Sequence, residues 1–230
     1  VLKWIVAALL VSAALSACGG SSGQPTATES STVPITFTTT TTVPTTTAPA
    51  PTRTSYLGPE GVPVETGSFL AAATTTRLGA FVDGVQCQSI AQLAYTAYAH
   101  LQVYVGGRSV AIPGGIGLVG VGTKATARGL VFTPKTCMYW LHTRAADGII
   151  QVQSPVKRAY TLGILFRIWN QPLSSDQVAG AHGPVSAMVD GVRWHGDPSA
   201  IPLREHEDIQ LAVGTPVPPY SAIDWVATGL

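Results

Sequence analysis

The sequence predicts an α+β protein: a β-rich, largely antiparallel sheet with one or two short helices and one disulfide. Three observations carry that class. Residues 95–105 alternate apolar and polar, the period of a half-buried strand. Asp190-Gly191 separates two short apolar-rich runs, as in a two-residue hairpin. Leu162, Leu165, Phe166 and Trp169 recur at i, i+3, i+4 and i+7, one face of a helix.

Composition narrows the function before any motif does. Charged residues make up 11% of the 230, well under the roughly 25% of a soluble domain. Net charge is +1, and Lys157–Arg158 is the only adjacent basic pair. That is no electrostatic footprint for nucleic acid.

Residues 1–17 read as an export signal, with Lys3 as the charged start and residues 4–15 as its apolar stretch. The stretch is too short to span roughly 30 Å of hydrocarbon. Leu15-Ser16-Ala17-Cys18 resembles a bacterial lipobox, and the resemblance implies a mature chain that begins at a lipid-modified Cys18. Two acyl chains there would hold the protein stably at a membrane. Residues 18–55 follow as lipidated cysteine and stalk, rich in Thr and Pro and nearly uncharged. Such a run cannot bury a core and reads as a disordered spacer.

Residues 56–230 are long enough for one core. Positions 56–76 read as an irregular lead-in with one strand, and 86–93 as a short helix held by Cys87. With Cys18 lipidated, Cys87 and Cys137 remain in an oxidising compartment, where they are expected to pair; two free buried thiols are the alternative. Closing that loop is worth roughly 4 kcal/mol on the chain-entropy account.

On the strand over 95–105 the odd positions form an apolar face, while Thr96, Tyr98, His100, Gln102 and Tyr104 form a polar one. Gly106-Gly107 turns it into 109–112. Gly115-Ile-Gly117-Leu-Val-Gly120 matches GxGxxG but opens no helix. A flexible glycine loop, with no nucleotide, is its plain reading. Residues 136–155 form the expected centre: a strand bearing Cys137, Tyr139, Trp140, His142 and Arg144, a turn at 145–148, and a second strand over 149–152.

A helix over 161–170 is closed by Pro172, and a second over 174–180 is capped by Ser174 or Ser175. Val185–Val189 and Val192–Trp194 pair across Asp190-Gly191. Residues 204–208 concentrate charge as a solvated turn, 208–213 make a last alternating strand, and the prolines of 216–219 end regular structure.

The segments YTAYAHL (95–101), CMYWLHTRAADGIIQVQSP (137–155), TLGILFRIWNQPLSS (161–175) and AMVDGVRWHGDPSAIPL (187–203) resemble a family of exported, actinobacterial-type bacterial proteins of unknown function. The resemblance implies histidines, in many members, at the positions of Thr96, Tyr98, His100, His142, Arg144 and Gln151, an array suited to a metal. This chain keeps His100 and His142 alone. Thr96, Tyr98 and His100 share one strand face and His142 and Arg144 another, so neighbouring strands would bring them together. A zinc site takes four protein ligands, or three and water. The pair falls short unless His182, His195 or His206 joins it. A zinc or copper ion on His100 and His142, or a hydrogen-bonded pocket with Thr96, Tyr98, Arg144 and Gln151 and no cofactor, both remain open.

There is no GxSxG elbow, no placed triad and no marked carboxylate pair, so the sequence leans away from an enzyme. Trp194, beside a turn, is the tryptophan expected at the surface. The expectation is a lipid-anchored extracytoplasmic module that binds an envelope ligand or serves structurally. A metal-binding protein comes second, and a hydrolase of envelope polymers third.

Overall fold

Residues 56–75 and 77–230 are described by a computed structural model. The expected export signal, the expected lipidation site at Cys18 and the expected stalk lie outside them. Twelve strands and two helices follow in order: β1 (Cys87–Gln88), β2 (Tyr95–Val105), β3 (Arg108–Val110), β4 (Leu118–Thr126), β5 (Gly129–Tyr139), β6 (Leu141–His142), β7 (Ile149–Ser154), α1 (Leu162–Trp169), β8 (Gln177–Val178), β9 (Ala181–His182), β10 (Val185–Val189), β11 (Val192–Trp194), β12 (Glu207–Val213) and α2 (Trp225–Thr228). None of these helices is long and apolar enough to cross a membrane.

The main sheet runs β11-β10-β12-β2-β7-β6, with β3 paired to the end of β2. Its pairs are antiparallel except β12 with β2, which is parallel and sets Asp208 opposite His100. The alternation along β2 sorts its side chains: Ala97, Ala99, Leu101 and Val103 join the core, and Thr96, Tyr98, His100 and Gln102 take the other face. Against the apolar face packs α1, which buries every residue but Arg167. Asn170 ends this helix in the left-handed conformation, at φ 63°, a place that tolerates few residues but Gly and Asn.

A smaller antiparallel sheet, β1-β5-β4, carries the cysteines. Cys87 of β1 and Cys137 of β5 lie at disulfide distance, their Cα atoms 5.4 Å apart. The strand expected from 136 to 144 is two strands. It breaks at Trp140, where the chain leaves the small sheet and enters the main one through β6. The Trp140 indole fixes that crossing by donating to Gln88 Oε1 at 2.8 Å.

Other expectations are corrected. Residues 86–93 form no helix, because Cys87 and Gln88 pair with Tyr139 and Met138 instead. Residues 174–180 also form none. The Ser174 hydroxyl is spent on Asp176, and β8 folds back onto β9 through Ala179 at φ 50°. The glycine segment is packed rather than open. A Cβ on Gly117, at φ 75°, would sit 2.3 Å from the Leu141 carbonyl, and one on Gly114 2.5 Å from the Phe132 ring. Trp194 is half-buried against the core. Glu207 and Asp208, expected in a solvated turn, are buried in β12.

Candidate functional site

The polar face of the main sheet is an ordered grid. Cross-strand pairing sets His142 of β6, Gln151 of β7 and Tyr98 of β2 in one row. His100 stands between Ile149 and Asp208, and Gln102 beside Gln210. Two irregular segments roof this grid: the lead-in at 56–66 and the chain after 216. Gln210 holds the second by donating to the Pro218 carbonyl at 3.0 Å. The segments touch, since a Cβ on Gly61 would lie 2.7 Å from the Thr228 Cα. Two recesses among the described residues border that contact, and Thr228 lines both.

The larger recess encloses about 940 Å³. Leu57, Val62, Val64, Ile223 and Ala227 make its walls apolar, and His100, Gln102 and Glu65 supply its polar groups. Asp208 orients His100: the ring Nδ1 donates to Oδ1 at 2.7 Å, and both side chains are nearly inaccessible. The other oxygen, Oδ2, accepts from the Tyr220 hydroxyl at 3.1 Å and from the Ile223 amide at 3.0 Å. Burial, and next the Asp208 charge, raise the Tyr220 pKa, so the phenol stays a donor. One carboxylate thus ties the floor of the recess to its roof.

Beneath the contact of the two roofing segments lies a set of buried carboxyl groups. Burial pushes the Glu60 pKa up to about 8, aided by neighbouring Asp147 and opposed by a hydrogen bond from Gln151. Burial likewise takes Glu65 up to about 8, against the Ile112 amide that donates to it. Asp147 is raised by burial too. Glu65 Oε1 is buried without a hydrogen-bond partner, and the Glu60 and Asp147 carboxyls face each other across a hydrogen bond that a proton on Glu60 completes. The protonated form is therefore the one this environment favours at Glu60 and Glu65.

His142 is fully enclosed. Its Nδ1 donates to the Tyr139 carbonyl at 3.0 Å, which leaves Nε2 a lone pair, and the side chain of Gln151, its cross-strand neighbour, meets the ring. Burial pushes its pKa down to about 4, with the Arg144 charge adding to the effect. It is a neutral imidazole at physiological pH.

The second recess, about 320 Å³, is lined by Tyr98, Arg144, Gln151 and Gln153, with Lys124 reaching in from β4. Of the residues singled out in the sequence, Tyr98, Arg144 and Gln151 therefore converge. His100 faces the other recess. His142 lines neither, and Thr96 is exposed on the same face, opposite Gln153. Of the remaining histidines, His206 stacks on Trp225 with ring centres 4.7 Å apart, and His182 is exposed in β9. Among the described residues, no three His, Cys, Asp or Glu side chains are arranged to hold a metal ion.

Sequence reasoning missed Glu60, Glu65, Asp147, Asp208 and Tyr220. Only Asp208 had a signal: as the even-numbered partner of an apolar-alternating strand, it belongs to the face that carries Gln210. Neither a family model nor a curated protein nor a solved structure matches the chain.

Proposed function

We propose that this protein is a lipid-anchored, extracytoplasmic binding module of the cell envelope, without enzymatic activity, that takes a small amphipathic molecule into the larger recess. The observation that carries the reading is a cavity of about 940 Å³ with apolar walls and a His100–Asp208 pair set in its floor. Small-molecule sites have this make-up: mostly apolar lining, with a few placed polar groups that fix orientation. The apolar part of a ligand gains by leaving water, and its polar end meets His100 and Gln102. The LSAC motif and the Thr/Pro stalk support the anchored location.

Two measurements test it. Mass spectrometry of the protein from membranes should find diacylglyceryl on Cys18, and Cys18→Ser should release the protein from the membrane fraction. An uncharged fluorescent amphiphile, N-phenyl-1-naphthylamine, should bind the purified full-length protein with one site. Ala222→Trp, which fills the recess from its exposed rim, should weaken that binding by about tenfold or more, as a bulky intrusion into a packed site costs over 1 kcal/mol. Equal binding by both proteins would sink the cavity reading.

A second reading places zinc or copper on His100 and His142. One observation favours it: buried His142 is a neutral imidazole whose Nε2 is unprotonated, the form that a metal takes. Zinc titration beside His100→Ala/His142→Ala decides it, because a real site shows stoichiometric uptake that the double variant loses.

A further inference from the structure

The second recess has a chemistry of its own, and it does not depend on what fills the first. Its polar side chains are rich in donors and poor in acceptors. Arg144, in the turn between β6 and β7, is half-buried. Its backbone carbonyl accepts from the Phe132 amide, but its guanidinium makes no hydrogen bond or ion pair among the described residues. Neither the Lys124 ammonium nor the Tyr98 hydroxyl has a partner among them. Gln153 donates to Gln151 at 3.3 Å, and Gln151 donates to Glu60.

Few acceptors in the recess serve these donors. Glu60 is the carboxyl at this recess, and burial beside Asp147 keeps it mostly protonated. Its Oε1 is engaged by Gln151. At the rim, the Leu230 carbonyl takes His206 Nε2 at 3.2 Å. Half-buried arginine ordinarily finds a carboxylate, because its planar fork matches two oxygens at once. Here the fork, an ammonium and a phenol come from three separate elements, the β6–β7 turn, β4 and β2. They line one hollow, and none of the three is hydrogen-bonded to its one carboxyl side chain, Glu60.

We propose that this recess of about 320 Å³ binds an oxyanion, a phosphate or a carboxylate group, gripped by Arg144 with Lys124 and Tyr98 as further donors. Arg144 supplies the two parallel N–H bonds that give the site its geometry. Lys124, exposed on β4, contributes charge more than shape. Tyr98 adds a neutral donor from the floor. The hollow is sized for one such group and a small attachment.

The test is calorimetric titration of the purified full-length protein at low salt with inorganic phosphate, with acetate, and with chloride as a spherical control. Saturable one-to-one binding of phosphate or acetate, absent for chloride, is expected, and the stronger of the two identifies the group. Arg144→Gln should weaken it by about tenfold or more, the loss of one charge-assisted pair. Arg144→Lys should recover only part, since the fork is gone. Tyr98→Phe and Lys124→Gln should each weaken it several-fold. Those two carry the test if Arg144→Gln fails to fold. No saturable binding of either oxyanion, or undiminished binding in the Arg144 or in the Tyr98 and Lys124 variants, would overturn the proposal. N-phenyl-1-naphthylamine binding should be the same in all four variants.

Discussion

Asp208 shows how much one buried carboxylate can organise. Its two oxygens accept from His100, Tyr220 and Ile223, and its backbone amide donates to Asp190 at 2.9 Å. Tyr220→Phe should cost about 1 kcal/mol of stability, the usual net worth of one hydrogen bond. Asp208→Ala strands the His100 and Ile223 donors in the interior and should cost about 3 kcal/mol or more. Thermal melts of the two variants check the order; an equal loss would mean that His100 is served by something else. The buried acids and the buried histidine act in opposite directions with pH. Glu60 and Glu65 hold their protons in the fold up to about pH 8, against 4.5 when free. Between those values the folded chain carries more protons than the unfolded one, so stability falls as pH rises through that window. His142 titrates near 4 in the fold against 6.5 when free, so it withdraws stability as pH falls through that range. Urea midpoints should therefore peak on the acid side of neutrality. Glu60→Gln/Glu65→Gln should flatten the alkaline decline, and an unchanged decline would refute the assignment.

Elements were legible where one pattern decided them. The strand 95–105 and the hairpin at 185–194 stand as read, and the helix over 161–170 shortens by one residue at each end. Each has a strong period and an unambiguous apolar face. The failures came where tertiary pairing overruled local preference. Gln88 reads as helix until Met138 and Trp140 claim it; β4 and the first half of β5, with Gly, Thr and Lys on open faces, show little alternation to read. The candidate site divides in the same way. Tyr98 and His100 were legible because period 2 puts them on one face of β2; Arg144, in a turn, and Gln151 were singled out only through the family resemblance. Glu60 and Glu65 were not, because they lie on an irregular segment whose placement depends on the sheet beneath. The glycine segment is a test of packing against motif. Gly117→Ala adds a Cβ into the Leu141 carbonyl at a left-handed φ, and should destabilise by several kcal/mol or prevent folding. Gly106→Ala meets no atom within 4 Å and strains only its own φ of 55°, so it should cost about 1 kcal/mol.

At the scale of the whole molecule, the main sheet is covered on both faces by different means: a helix on the apolar side and irregular chain on the polar side. Protection should follow that plan. Hydrogen exchange should be slowest in β7 and β12, whose residues are mostly buried, and in β2 between them, and fast in β4, whose outer positions are exposed. Uniform protection across β4 and β12 would contradict it. The parallel pairing at the centre of that sheet also sets an order of events. β2 ends at Val105 and its partner β12 begins at Glu207, so the middle seam joins strands from opposite ends of the domain. Closing so long a loop is slow, and until it closes β2 has one edge bare. A ribosome or a translocation channel would have to release nearly all of this domain before its sheet could be completed.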